Sequence, residues 1–175
     1  GNGIVYAIEP ESGNYSALNK NIVINNLTGT VVAYSLAIGE TRRLSTFYLS
    51  NNVADSSMYA IDRPERDRVV FEPQHVQGVV MDTLDNLVCN QQFRVPNHIE
   101  LDVDGVENLV EFGMSGLLDD DRLYTIMIEI ESVISKGKIE KRIESADFCE
   151  VMKEQWNDKS IYNALYVRQS KLTSI

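Results

Sequence analysis

Four carboxylates crowd into eight residues of the stretch His98-Ile99-Glu100-Leu101-Asp102-Val103-Asp104-Gly105-Val106-Glu107. Groups so spaced can orient a hydroxyl, take or return its proton, or present hard oxygens to a divalent cation through Asp102, Asp104 and Glu107. An Asp-x-Asp behind a strand also occurs with no metal near it, and no metal ligand is assigned here. A second acid of interest is Glu9, which closes the apolar run Ile4-Val5-Tyr6-Ala7-Ile8. In an open α/β sheet an acid at the end of a second strand can accept both hydroxyls of a ribose, because a carboxylate offers two oxygens to a diol. A solvated acid at a strand end is the plain alternative. His75 is predicted in a turn and His98 at the start of a strand, both in structural roles. Ser56 and Ser57 belong to a polar stretch.

The elements that must carry these residues can be read from periodicity. Ile99, Leu101 and Val103 alternate with Glu100, Asp102 and Asp104, which predicts a strand with apolar side chains on one face. Burying an unpaired carboxylate is costly, so Asp102 and Asp104 are expected at the strand's carboxyl end, where an α/β sheet keeps its binding crevice. Gly105 then permits a sharp turn. Val106, Leu109, Val110, Gly113 and Leu117 follow at helical spacing.

Upstream, residues 4–8 predict a strand buried on both faces and stopped by Pro10. Ser12 is the expected N-cap of the next helix, which carries Tyr15, Leu18 and Ile22 on one face and ends at Asn25-Asn26. Residues 31–36 predict the second strand of a βαβ unit. Residues 44–49 alternate as an added strand, and 50–68 read as a long polar loop. Residues 76–81 predict a strand, and Asp82-Thr83-Leu84-Asp85-Asn86-Leu87 begins a short helix. Ile126, Ile128 and Ile130 mark a further core strand. Ser145 is the expected cap of a helix bearing Phe148, Val151 and Met152. Residues 161–168 read as a closing antiparallel strand at the sheet edge. There is no internal repeat and no low-complexity tract. The pattern is one α/β domain over residues 1–175.

Composition narrows the partners. The chain has 175 residues, 43% of them hydrophobic, enough for a core of ordinary size. Its net charge of −10 repels phosphate backbones and anionic lipid, so neither nucleic acid nor membrane is an expected partner. Lys136, Lys138, Lys141 and Arg142 make a small basic cluster, read as a solvated helix face or loop. Cys89 and Cys149 match no metal-ligand spacing and suit a reducing compartment, so a cytoplasmic location is expected.

Several segments, taken in order, resemble the FkbM-type methyltransferases. Val5-Tyr6-Ala7-Ile8-Glu9-Pro10-Glu11, Leu18-Asn19-Lys20-Asn21 and Asn25-Asn26-Leu27 resemble that family's second strand and following helix. Ala37-Ile38-Gly39-Glu40 resembles the turn after its third strand, and Met81-Asp82-Thr83-Leu84-Asp85-Asn86-Leu87 its T-L-D-x-L segment. Leu101-Asp102-Val103-Asp104-Gly105-Val106-Glu107 resembles its I-D-V-E-G-x-E signature, and Ile128-Glu129-Ile130 its next strand. Two residues depart from the pattern. Glu100 stands where the family usually has lysine, and Asp104 where it has glutamate.

The resemblance implies a Rossmann-like, class I methyltransferase fold: doubly wound, mostly parallel, with an antiparallel C-terminal edge strand. It also implies an N-terminal truncation, since the family's first βα unit and glycine-rich turn have no counterpart here. The implied cofactor is S-adenosylmethionine, with Glu9 on the ribose, Ala37 beside the adenine edge through its backbone, and Asp102 near the transfer site. The implied reaction is O-methylation of a hydroxyl on a small molecule or sugar, with Asp102 and Asp104 as the catalytic candidates. For Glu107 a helix-dipole role is favoured. A catalytically silent interaction or remnant domain is the alternative, and a nicotinamide-dinucleotide enzyme a third reading. A missing strand would leave an open sheet edge, which a homodimer could cover. The enzymatic reading requires Glu9 and Asp102 to line one cleft.

Overall fold

The computed structural model describes residues 3–50, 59–66, 69–91, 93–102, 113–130, 137–155 and 161–174. These form two compact units, Gly1–Asp82 and Thr83–Ile175. Asp104, Glu107, Ser56, Ser57 and Lys136, together with most of the helix predicted after Gly105, lie outside the described residues.

The first unit opens with strand β1 (Val5–Ile8), helix α1 (Ser12–Ile24) and strand β2 (Val31–Tyr34). β1 and β2 pair in parallel, Val5 opposite Val31 through Ile8 opposite Tyr34, as the βαβ reading requires. The helix ends where Asn25-Asn26 predicts. Asn26 takes the left-handed conformation at φ 57°. Its amide returns to the Val23 carbonyl and that of Leu27 to Ile22, which satisfies two otherwise orphaned carbonyls in a Schellman turn. β1 is not buried on both faces, since Val5 remains 51% exposed. Among the described residues β1 has only β2 beside it.

The rest of this unit is a mixed sheet in the order β3-β8-β4-β5: Ala37–Ile38, His75–Asp82, Arg43–Leu49 and Tyr59–Ile61. β3 runs parallel to β8, whereas β4 is antiparallel to both β8 and β5. Alternation puts Phe47, Leu49, Val79 and Ala37 into one apolar cluster, with Tyr59 and Ile61 packed against it. Each large side chain so buried contributes about 1.5–3 kcal/mol. The predicted loop over 50–68 is partly strand. β5 lies within it, and β6 (Glu65–Arg66) pairs with β7 (Val69–Val70). Polar composition hid these short strands.

In the second unit helix α2 (Leu84–Asn90), strand β9 (His98–Leu101), helix α3 (Ser115–Leu118), strand β10 (Thr125–Ile130), helix α4 (Lys138–Ser145), strands β11 (Phe148–Gln155) and β12 (Tyr162–Arg168) and a 3-10 turn (Gln169–Ser174) follow in order. The sheet order is β11-β12-β10-β9. Ile126, Ile128 and Ile130 lie fully buried in register with Tyr166, Ala164 and Tyr162, while Ile99 and Leu101 extend the same face through β9. Ile139 and Ile143, one helical turn apart, are the buried residues of α4, whereas Lys138 and Lys141 are exposed. Tyr162 donates its hydroxyl to Glu140 Oε1 at 2.5 Å, and Lys153 reaches the same oxygen at 3.1 Å.

Two expectations fail in this unit. Ser145 does not cap a helix. It is the last residue of α4, and Phe148, Val151 and Met152 belong to strand β11. A register shift between Glu150 and Met152 breaks the strand's alternation and mimics helical spacing. Nor is β12 an edge strand. It pairs antiparallel with β10 on one side and β11 on the other, so β11 takes the edge. The α/β class holds, but the sheets are mixed rather than mostly parallel.

Candidate functional site

Glu9 follows the last residue of β1 and is half-buried. Its own amide extends the ladder by donating to the Tyr34 carbonyl at 3.1 Å. Its carboxylate accepts the Glu11 amide through Oε1 at 2.8 Å, which fixes the side chain against the turn. The cap of α1 is Glu11, not Ser12. Glu11 Oε1 takes the Gly13 amide at 2.8 Å and Oε2 the Asn14 amide at 2.6 Å. A serine hydroxyl would satisfy one such donor, and a carboxylate takes two. Partial burial pushes the Glu11 carboxyl up. The amides of Gly13 and Asn14, the Ser12 hydroxyl and the charge of His75 outweigh that and hold it below the usual glutamate range.

Gln77 of β8 completes this turn. It donates from Nε2 to the Pro10 carbonyl at 2.6 Å and accepts the Ser12 amide through Oε1 at 3.1 Å. The amides of residues 11 to 14 are thus all taken by side chains of the protein itself. A phosphate at this helix terminus would have to displace them, which weighs against the dinucleotide reading at this position.

Ala37 is 3% exposed, and its side chain belongs to the apolar cluster of the first unit. Its side chain is therefore taken up by the core, and β3 is an edge strand of its sheet. Gly39, two residues on, donates its amide to the Asp82 carbonyl at 2.9 Å. A Cβ there would run into Sδ of the fully buried Met81, so the glycine lets the turn approach β8. The Asp82 side chain is buried, with Nε of Arg42 at 3.7 Å.

Asp102 is the first residue beyond β9 and is exposed, at the carboxyl end of a core strand as its alternation predicts. His98, at the other end of β9, contacts the Thr125 hydroxyl through Nδ1 at 2.8 Å and stands edge-on to Tyr124. That is a structural role. His75 opens β8. Among the described residues no group of three His, Cys, Asp or Glu side chains is placed to hold a metal ion. No helix among them is long and apolar enough to cross a membrane.

Thr83 caps α2 by accepting the Asn86 amide at 2.9 Å. Asp85, inside α2, accepts the amides of Gly116 and Leu117 at 2.8 and 2.9 Å and so caps the short helix α3, whose own N-cap Met114 has no side-chain oxygen to do so. Sequence reasoning missed Glu11, Gln77 and Asp85. Glu11 had a local signal, an acid after proline at a helix start. The other two act on groups more than thirty residues away, and nothing near them in sequence announces the partner.

A search of family models found no match, and no curated protein matches in sequence. A search of solved structures found the crystal structure of methyltransferase FkbM from Methylobacillus flagellatus KT. The likeness has a TM-score of 0.62 at 14% identity and covers 94% of this chain. The chain has the fold of that methyltransferase. It spans 36%, about a third, of the solved protein's length. Met81, Thr83 and Asp85 of the T-L-D-x-L segment fill the core, cap α2 and cap α3 in turn. Asp102, from the segment resembling I-D-V-E-G-x-E, is exposed at its strand end and has no such packing role among these contacts.

Proposed function

We propose that this protein is an S-adenosylmethionine-dependent methyltransferase with a Rossmann-like, doubly wound core, which methylates a hydroxyl on a small molecule or sugar. The observation that carries the reading is the likeness to a methyltransferase along 94% of the chain. It is supported by an acid directly behind each of two strands, Glu9 after β1 and Asp102 after β9.

The residues present suit the cofactor's nucleoside. Glu9 is a half-buried carboxylate already oriented by an amide, and the two oxygens of such a group match a ribose diol. Ala37 sits on an edge strand of its sheet, and its backbone is the part assigned to the adenine. When bound, S-adenosylmethionine supplies an electrophilic methyl group on a sulfonium. The protein's share is alignment of the acceptor hydroxyl and disposal of its proton. Asp102 is assigned to the hydroxyl, which it can hold through one oxygen and deprotonate through the same contact. Asp104 is the second candidate for that role.

Calorimetry with S-adenosylhomocysteine on the protein at its full encoded length tests this. Saturable binding that Glu9→Gln weakens is expected. Absence of binding by the wild-type protein would refute the assignment.

A further inference from the structure

Asn163 carries an inference that rests on the methyltransferase reading and on Asp102 as the group that holds the acceptor hydroxyl. Asn163 lies in β12, between β10 and β11 in its sheet. Its neighbours Tyr162 and Ala164 are fully buried on one face, so its own side chain stands on the other, where it is half-buried. Asparagine is depleted in strands, and an amide partly withdrawn from water needs a partner. Yet this carboxamide makes no hydrogen bond among the described residues.

The strand register places it. Glu129 of β10 is directly opposite Asn163 and stands between the buried Ile128 and Ile130, so the two side chains share one face. β9 runs parallel to β10 with Leu101 level with Ile128. Asp102, the next residue, comes level with Glu129 where the ladder ends. Two residues back along β10, Met127 pairs with Leu165 on the same face as Asn163, and both are half-buried.

Neighbouring strands lie about 4.8 Å apart, so Asp102 and Asn163, two strands apart, are separated by about 10 Å. Aspartate and asparagine have the same length, so their tips keep that spacing. A hydrogen bond of about 2.8 Å at each end leaves about 4–5 Å between two ligand oxygens. That is the distance between hydroxyls on alternate carbons of a pyranose ring, and it is too wide for a vicinal pair. The carboxylate can only accept, whereas the carboxamide also donates, so the two suit hydroxyls. Met127 and Leu165 offer apolar ground for the ring's C–H groups. A cation is a poorer match, because among the described residues no three acids are placed to hold a metal ion. We propose that Asn163 is an acceptor-binding residue: its carboxamide holds a second hydroxyl, two ring carbons from the one that Asp102 presents for methylation, and so selects a sugar over a simple alcohol.

The test uses the protein at its full encoded length with S-adenosylmethionine and two kinds of acceptor. One is the set of methyl pyranosides of glucose, mannose, galactose and rhamnose. The other is cyclohexanol, a six-membered ring with one hydroxyl. The wild type should methylate at least one pyranoside and prefer it to cyclohexanol. Asn163→Val should raise KM for that pyranoside by roughly tenfold, the worth of one hydrogen bond, with kcat and S-adenosylhomocysteine affinity unchanged. It should melt no lower than the wild type, since valine suits a strand better than asparagine. Asn163→Thr keeps one polar oxygen and should show a smaller rise in KM; a rise as large as valine's would overturn the hydrogen-bonding role.

If Asn163→Val leaves KM unchanged, or lowers stability and S-adenosylhomocysteine affinity together, the asparagine serves the sheet and the inference fails alone. It also fails alone if the wild type binds S-adenosylhomocysteine yet methylates no pyranoside, or methylates cyclohexanol equally well. If the wild type does not bind S-adenosylhomocysteine, the methyltransferase reading fails and takes the inference with it.

Discussion

Arg168 donates from Nε to the carbonyl of Leu123 at 2.8 Å within the second unit. The same guanidinium reaches the carbonyls of Leu118 and Asp120 through Nη2, at 2.9 and 2.8 Å, and of Ala146 through Nη1 at 3.3 Å. It stacks 4.3 Å from the centre of the Phe148 ring and is only 6% exposed. One charged side chain at the end of β12 therefore gathers the end of α3, the entry to β10 and the link from α4 to β11. Arg168→Met should lower unfolding free energy by roughly 3 kcal/mol or more, because hydrogen bonds to a charged group are worth about 1.5–3 kcal/mol each and several carbonyls lose their donor. Arg168→Lys should lose somewhat less. Urea denaturation with an unchanged slope would measure it, and an unchanged midpoint for the methionine variant would contradict the role.

Gly39→Ala tests the close approach of the β3 turn to β8. The added methyl meets the Met81 side chain, which is fully buried and must move into a packed core. A loss of about 1–3 kcal/mol is expected, the usual cost of overpacking. Met81→Ala placed beside it should recover part of that loss in a double-mutant cycle. Additive effects would show that the two residues do not press on one another.

The Asp120 carboxyl is held down to about 2 by the guanidinium and amide of Arg122. The sign follows from linkage. A carboxyl that ionises more readily when folded stabilises the protein above its unfolded pKa, and the contribution is lost as pH falls through the folded one. The stability difference between wild type and Asp120→Asn should therefore be constant near neutrality and shrink as pH falls from about 4 toward 2. Thermal melts across that range would read it; a difference that grows on acidification would reverse the assignment.

Asp102→Asn keeps size and removes the basic oxygen. Turnover should fall by roughly a hundredfold or more, in line with loss of a general base, with S-adenosylhomocysteine affinity largely kept. A methyl-transfer assay and calorimetry on one preparation separate the two effects. Unimpaired turnover would strike Asp102 from the catalytic set and leave Asp104 as the remaining carboxylate for that role.

Much of the fold was legible because strand period and burial coincide. Ile126, Ile128 and Ile130 alternate without interruption, and each is buried. Val31-Val32-Ala33-Tyr34 needed no more than β propensity. Legibility failed where a long-range feature overrode the local signal. The register shift in β11 turned alternation into apparent helical spacing at Phe148, Val151 and Met152. The position of β12 inside its sheet depends on which strands flank it, and its own residues do not encode that. The acids of the candidate site were visible because each interrupts or closes an apolar run. Gln77 was not, because a glutamine in a strand says nothing of the turn it will clasp.

The place of β12 has a consequence for synthesis. Its residues 162–168 form an inner rung of the second unit's sheet, between β10 and β11, and supply Arg168 as a clasp. A chain emerging from the ribosome delivers α2, β9, β10 and α4 before the strand that joins β10 to β11 exists. Until Arg168 clears the exit tunnel, β10 and β11 present unzipped edges. That interval, rather than the finished protein, is when a chaperone would be most needed.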